Sequence, residues 1–187
     1  MSAEKATTIL IVPGLRDHVA EHWQTLLQQK LPHARAVPPL TQDKLNCQAR
    51  VDALARELDA IDGPVIIVAH SAGAMMVAHW ALRGTRPIKG ALLVTPPDLE
   101  QPMPAPYPEV ATLEANGWLP IPQLPLRFPS IVIASGNDPL ASPARVALMA
   151  KAWNSTVFNI GNVGHLNPAA GYGEWPQAEQ FIRMLDE

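Results

Sequence analysis

Short runs of consecutive apolar residues recur along this chain, separated by stretches in which apolar positions fall three and four apart. The first pattern is that of strands buried on both faces, and the second is that of amphipathic helices. Thr7 to Val12 is a first apolar run, stopped by Pro13-Gly14. A helix is expected from Asp17, as N-cap, to about Lys30, with Trp23, Leu26, Leu27 and Lys30 at helical spacing. Ala34 to Val37 reads as a short strand between Pro32 and Pro38-Pro39, near a sheet edge. Asp43 to Ile61 reads as a helix with Leu45, Val51, Leu54, Ala55, Leu58 and Ile61 inward, closed by Gly63-Pro64. Val65-Ile66-Ile67-Val68-Ala69 is the longest aliphatic run, and a helical pattern from Ala72 to Leu82 follows it without a loop. Ile88 to Thr95 and Pro129 to Ser135 are further strands. Ser142 to Trp153 is a helix with Pro143 in its first turn. Thr156 to Ile160 is the last strand, and a terminal helix runs from Trp175 or Pro176 to Leu185.

Six strands alternating with helices, without an internal repeat or a linker, predict one doubly wound α/β domain over residues 1–187. Right-handed crossovers place every strand-to-helix loop at one edge of such a sheet, and chemistry collects outside the strands' carboxyl ends.

Half of the 20 prolines lie between Pro96 and Pro129. They remove donors and fix φ, so only 109–116 can form a short helix there. Trp118, Leu119, Ile121, Leu124 and Leu126 are too apolar for a disordered segment. The loop is expected to pack over the sheet's end, with Trp118 shaping a pocket.

The junction at Ser71 carries chemistry. A chain that passes from strand to helix with no loop must turn sharply, which holds Ser71 in a strained conformation with its hydroxyl exposed. The turn demands small neighbours, here Ala69, Ala72 and Gly73. The nucleophile-elbow pattern Gly-x-Ser-x-Gly is met but for one methyl, at Ala69. The amide of Ala72, heading a helix, would face an oxygen that becomes negative during acyl transfer. Asp138 follows the fifth strand in Ser135-Gly136-Asn137-Asp138-Pro139, and His165 follows the sixth in Gly161-Asn162-Val163-Gly164-His165. Serine, aspartate and histidine therefore occur in the order an α/β-hydrolase requires, each after a strand. An imidazole can accept and return a proton at neutral pH, and a carboxylate on its other nitrogen fixes the tautomer. After the first strand, Pro13-Gly14-Leu15 supplies a candidate second oxyanion donor, the amide of Leu15, and Gly14 permits the turn beside the pocket.

Composition narrows the setting. Net charge is −3 and the sequence pI about 6.1, which gives no footprint for nucleic acid or an anionic membrane. The single cysteine, Cys47, excludes an internal disulfide, suits a reducing compartment and reads as packing. The start, Met1-Ser2-Ala3-Glu4-Lys5-Ala6, is polar, so no signal peptide is expected, and no run is long enough to span a membrane. The cytoplasm is the expected location.

These stretches resemble small α/β-hydrolase-fold serine hydrolases, the group typified by retinoblastoma-binding protein nine and the bacterial YdeN-like proteins. The resemblance rests on Ile11-Val12-Pro13-Gly14 with His22-Trp23, on Ala69-His70-Ser71-Ala72-Gly73, on the Pro129–Pro139 segment, on Gly164-His165-Leu166-Asn167, and on Gly171-Tyr172-Gly173 with Trp175-Pro176. It implies a minimal α/β-hydrolase fold, mostly parallel strands in the order 2-1-3-4-5-6, helices on both faces and no separate lid domain. It also implies serine-dependent cleavage of esters or small amides, with the catalytic roles on Ser71, Asp138 and His165. No cofactor or metal is expected.

Other residues compete for roles. His18-Val19-Ala20-Glu21-His22 matches a zinc-peptidase pattern that would set both histidines on one helix face, but no third ligand is placed. Asp98, after the fourth strand, is an alternative acid. His70 either lines the pocket or packs against backbone, His79 reads as structural, and Met75 and Met76 read as core. An interaction protein that keeps a vestigial triad and binds partners through loop 96–129 is the alternative to an enzyme acting on a small ester or amide.

Overall fold

The computed structural model describes residues 3–187; Met1 and Ser2, the first residues of the polar start, lie outside the described residues. Six strands form one sheet in the order β2-β1-β3-β4-β5-β6, and every neighbouring pair is parallel. They are β1 (Thr8–Val12), β2 (Ala34–Ala36), β3 (Val65–His70), β4 (Gly90–Val94), β5 (Ser130–Ala134) and β6 (Thr156–Asn159). The helices are α1 (Trp23–Lys30), α2 (Cys47–Ala60), α3 (Ala72–Ala81), α4 (Val110–Ala115), α5 (Pro143–Ala152) and α6 (Gln177–Asp186). Between β6 and α6 a 3₁₀ turn spans Pro168–Ala170, within a stretch whose sequence predicts only a loop.

The apolar runs without alternation are explained by two cores. Because side chains alternate across a strand, Leu10, Val12, Val65, Ile67, Ala69, Ala91, Leu93, Val132 and Ala134 point to the face covered by α2, α3 and α5. Ile9, Ile11, Ile66, Val68, Leu92, Val94, Ile131 and Ile133 point to the other face, under Trp23 and Leu27 of α1 and Ala178, Ile182 and Leu185 of α6. The edge strands are short or exposed, with three residues in β2 and mostly exposed positions in β6, which blunts pairing with other chains.

Two helix starts differ from the sequence expectation. Asp17 does not cap α1: it lies in a turn at φ 56, and its carboxylate takes an N–H from Arg50 at 2.6 Å. The helix begins six residues later, where His22 Nδ1 accepts from the Gln24 amide. Likewise α2 starts at Cys47 rather than near Asp43, because Asn46 supplies the cap to Ala49 N.

The proline-rich stretch forms part of the first core. Leu99, Leu113, Trp118, Ile121 and Phe128 are all buried there, and only α4 breaks the irregular course. No helix among the described residues is long and apolar enough to cross a membrane.

Candidate active site

Ser71 terminates β3 and precedes α3 with φ 57 and ψ −126, a conformation few non-glycine residues adopt. Close packing compels the turn. A Cβ at Gly73 would sit 2.4 Å from the Val12 carbonyl oxygen and 2.9 Å from that of Pro13, so only glycine lets α3 approach the end of β1. A Cβ at Gly14 would lie 3.3 Å from Ser71 Cβ and 3.8 Å from the Ala72 nitrogen, which sets the loop after β1 directly against the elbow. Ala69 is fully buried, consistent with the demand for a small residue there.

Three of the sequence-selected residues form one hydrogen-bonded chain. His165 Nε2 lies 2.8 Å from Ser71 Oγ, and His165 Nδ1 lies 3.1 Å from both carboxylate oxygens of Asp138. Asp138 Oδ1 also accepts the Leu140 amide at 2.9 Å, which fixes the carboxylate's rotation. His165 and Asp138 are buried, so their contact is shielded from water. Asp98 takes another part. Its carboxylate is held by Arg145 at 2.9 and 3.2 Å, and it is Asp138 that meets the imidazole.

The loop carrying His165 is pinned at successive residues. Asn137 Oδ1 accepts from the Gly164 amide at 2.7 Å, Ser135 Oγ accepts from Val163 N at 3.2 Å, and Trp23 Nε1 donates to Leu166 O at 3.0 Å. On the opposite side, Arg50 is buried and donates to Leu15 O, the Asp17 carboxylate and Lys44 O, so it fastens loop 14–17. Gln24 Nε2 bridges Val12 O and Val68 O, each at 3.1 Å, and ties together the carboxyl ends of β1 and β3. Sequence reasoning missed Arg50 and Gln24. Their polarity within helical patterns was the available signal, but their partners lie far away in the chain.

Two expected pocket residues occupy other positions. Trp118 is fully buried. Its indole N–H donates to Leu45 O at 2.7 Å and its own carbonyl accepts from His79, which is a core arrangement. His70 is buried behind the site, with Nε2 on the His165 carbonyl at 2.8 Å, and lines no open surface. Tyr107, unremarked in the sequence, stands edge-on to the His165 ring at 6.4 Å. Burial raises the pKa of its hydroxyl, Arg16 acts to lower it and Asp138 to raise it further. Leu15 is partly buried against the α3-side core. A cavity of about 390 Å³ lies to one side of the site, between α1 and the end of β2, and is lined by Pro13, Asp17, His18, His22 and Pro38 among others.

His18 and His22 do not share a helix face, since α1 begins after both. His22 instead packs edge-on against His70 at 4.6 Å. Among the described residues no group of three or more His, Cys, Asp or Glu side chains is arranged to hold a metal ion. Burial pushes the Cys47 thiol up to about 12, so it stays protonated and packs as a small apolar group.

Burial, assisted by the nearby His165, lowers the His22 pKa to about 4 from 6.5. A histidine whose folded pKa is depressed is protonated first in the unfolded chain. Its contribution is therefore intact above pH 6.5 and is lost as pH falls towards 4, amounting to about 3 kcal/mol in all. Thermal midpoints should hold steady down to about pH 6.5 and then decline. His22→Asn, which retains a cap acceptor, should flatten that decline; an equally steep decline in the variant would refute the assignment.

The serine hydrolase family matches residues 9–184. Among solved structures, a YdeN-like hydrolase from Pectobacterium atrosepticum is 32% identical, with 96% of this chain and 89% of that one covered at a TM-score of 0.77. The ydeN gene product of B. subtilis has the same fold at 16% identity, covering 96% and 98% at a TM-score of 0.76. Est1E from Butyrivibrio proteoclasticus, solved with ferulic acid bound, shares the fold at 12% identity, covering 100% and 92% at a TM-score of 0.71. No curated protein matches the sequence significantly.

Proposed function

The chain belongs to the serine hydrolase family, and from that premise we propose that it cleaves carboxylic esters or small amides through an acyl-enzyme, with Ser71, His165 and Asp138 as its triad. The observation that carries this reading is the continuous contact from Ser71 Oγ through His165 to Asp138 at the strained turn of an elbow. A serine hydroxyl is a weak nucleophile until a base accepts its proton, and His165 Nε2 is within reach to do so. As Ser71 Oγ attacks the substrate carbonyl, His165 becomes an imidazolium that Asp138 stabilises. It then returns the proton to the departing alcohol or amine. Water, deprotonated by the same imidazole, releases the acyl group.

The negative oxygen formed in each step is assigned to the amides of Ala72 and Leu15. Ala72 heads α3, where the first N–H groups have no intrahelical acceptor and the helix dipole favours negative charge. The position of Gly14 against Ser71 and Ala72 brings the Leu15 loop to the same place. The cytoplasm is the proposed setting, in keeping with a lone buried thiol. Partner binding through loop 96–129 draws little support from a segment whose Leu99, Leu113, Trp118, Ile121 and Phe128 lie in this chain's own core, with Leu124 the large apolar side chain left exposed.

A fluorophosphonate probe tests the reading. It is expected to label the wild type at Ser71 and to leave Ser71→Ala unlabelled. A folded wild type that neither reacts with the probe nor hydrolyses p-nitrophenyl acetate would end it.

A further inference from the structure

The carbonyl of His165 is unusual in being met by two buried side chains from the ends of adjacent central strands. His70 Nε2 lies 2.8 Å from it and Thr95 Oγ1 3.4 Å. A carbonyl only accepts, so His70 must carry its proton on Nε2, and Thr95 donates its hydroxyl hydrogen. We propose that His70 and Thr95 form a two-donor clamp that positions the His165 imidazole for proton transfer with Ser71; the inference rests on the triad assigned above.

The connectivity makes the clamp more than packing. His70 is bonded in the chain to Ser71. Its ring holds the backbone of His165, and the ring of His165 returns to Ser71 Oγ at 2.8 Å. Peptide bonds and hydrogen bonds thus close a small ring that contains both reacting groups, and movement of one is felt by the other. Thr95 joins this ring from the neighbouring strand: Ser71 N donates to Val94 O at 2.9 Å, and Thr95 N donates to Ile133 O. Thr95 is fully buried at φ 45, a left-handed conformation that is strained for a β-branched residue and persists only where the surroundings impose it. That strained backbone directs its hydroxyl at the His165 carbonyl.

The clamp must also be electrically silent. His165 becomes a cation during the proposed reaction, and a second cation at the 4.9 Å separation of the His70 and His165 rings would oppose it. Burial holds His70 well below the usual histidine range, with His165 and His22 acting in the same direction. The titratable groups facing His165 are Asp138 from the loop after β5, His70 from β3, Tyr107 from the long loop and, beyond His70, His22 at the start of α1.

The test compares donor-removing and donor-keeping variants. His70→Leu and Thr95→Val remove a donor at similar size, whereas His70→Gln and Thr95→Ser keep one. With p-nitrophenyl acetate, His70→Leu is expected to lower kcat on the order of 10²-fold with KM nearly unchanged, as a small misplacement of a proton-transfer group does. Thr95→Val should lose less, given its longer contact. His70→Gln and Thr95→Ser should recover most of each loss. The fluorophosphonate labelling rate should fall in parallel, and the low-field proton resonance of His165 Nδ1–H should broaden or shift in His70→Leu. Retained kcat and resonance in a folded His70→Leu, or a His70→Gln no better than His70→Leu, would overturn the clamp. If His70→Leu fails to fold, the Thr95→Val and Thr95→Ser pair decides by the same criteria. A wild type inert to the probe would instead count against the triad itself.

Discussion

His165→Ala, Ser71→Ala and the double variant are expected to hydrolyse p-nitrophenyl acetate at nearly the same low rate, with kcat about 10⁶-fold below wild type. The three residues act as one unit in the proposal, so removing a second member after the first costs little more. The 2.8 Å contact at Ser71 and the paired 3.1 Å contacts at Asp138 make His165 the shared element of that unit. Asp138→Asn should lose less, about 10⁴-fold. Its Oδ1 position is already committed to the Leu140 amide, so the new amide nitrogen would take the Oδ2 position, replacing one of the two acceptors at His165 Nδ1 with a donor and removing the charge that stabilises the imidazolium. Steady-state kinetics on the four proteins provide the check. Additive losses in the double variant would mean that the residues work independently and would refute the unit.

Gly73→Ala is expected to lower stability by about 3 kcal/mol, or about 10 °C in thermal midpoint for a domain of this size. The added methyl would meet backbone atoms, Val12 O at 2.4 Å and Pro13 O at 2.9 Å, and no side chain can rotate aside to admit it. The start of α3 must then withdraw from the end of β1. That displacement separates the Ala72 amide from the Gly14–Leu15 loop, so the labelling rate should fall more than the fraction unfolded explains. Differential scanning calorimetry with timed probe labelling reads both quantities. An unchanged midpoint would show that the helix is free to shift, contrary to the tight elbow described above.

Much of this architecture is written in local patterns. The uninterrupted aliphatic runs at 65–69 and 131–134 declare two-sided burial, and the cores above and below the sheet are the reason they do not alternate. The Ser71 junction is legible because a strand that meets a helix with no loop leaves the backbone few options. Asp138 and His165 could be selected because each follows a strand, and parallel topology sends all such residues to one edge. What escaped the sequence depends on partners distant along the chain. Asp17 resembles a helix cap until Arg50, 33 residues on, takes its carboxylate. His70 reads equally well as a pocket or a packing residue, because nothing local announces a carbonyl 95 residues away. Trp118, in an irregular proline-rich loop, suggested a ligand surface, whereas Leu45 and His79 draw it into the interior.

The burial of Leu99, Leu113, Trp118, Ile121 and Phe128 has a practical corollary for anyone re-engineering this protein. Surface connections are the usual places to trim, tag or graft, since little depends on them. Here the least regular stretch of the scaffold supplies interior ballast, so shortening it to widen access to the serine would hollow out the molecule. Fusion partners and inserted peptides belong instead at exposed turns such as the one around Arg83 and Thr85, away from the reacting edge.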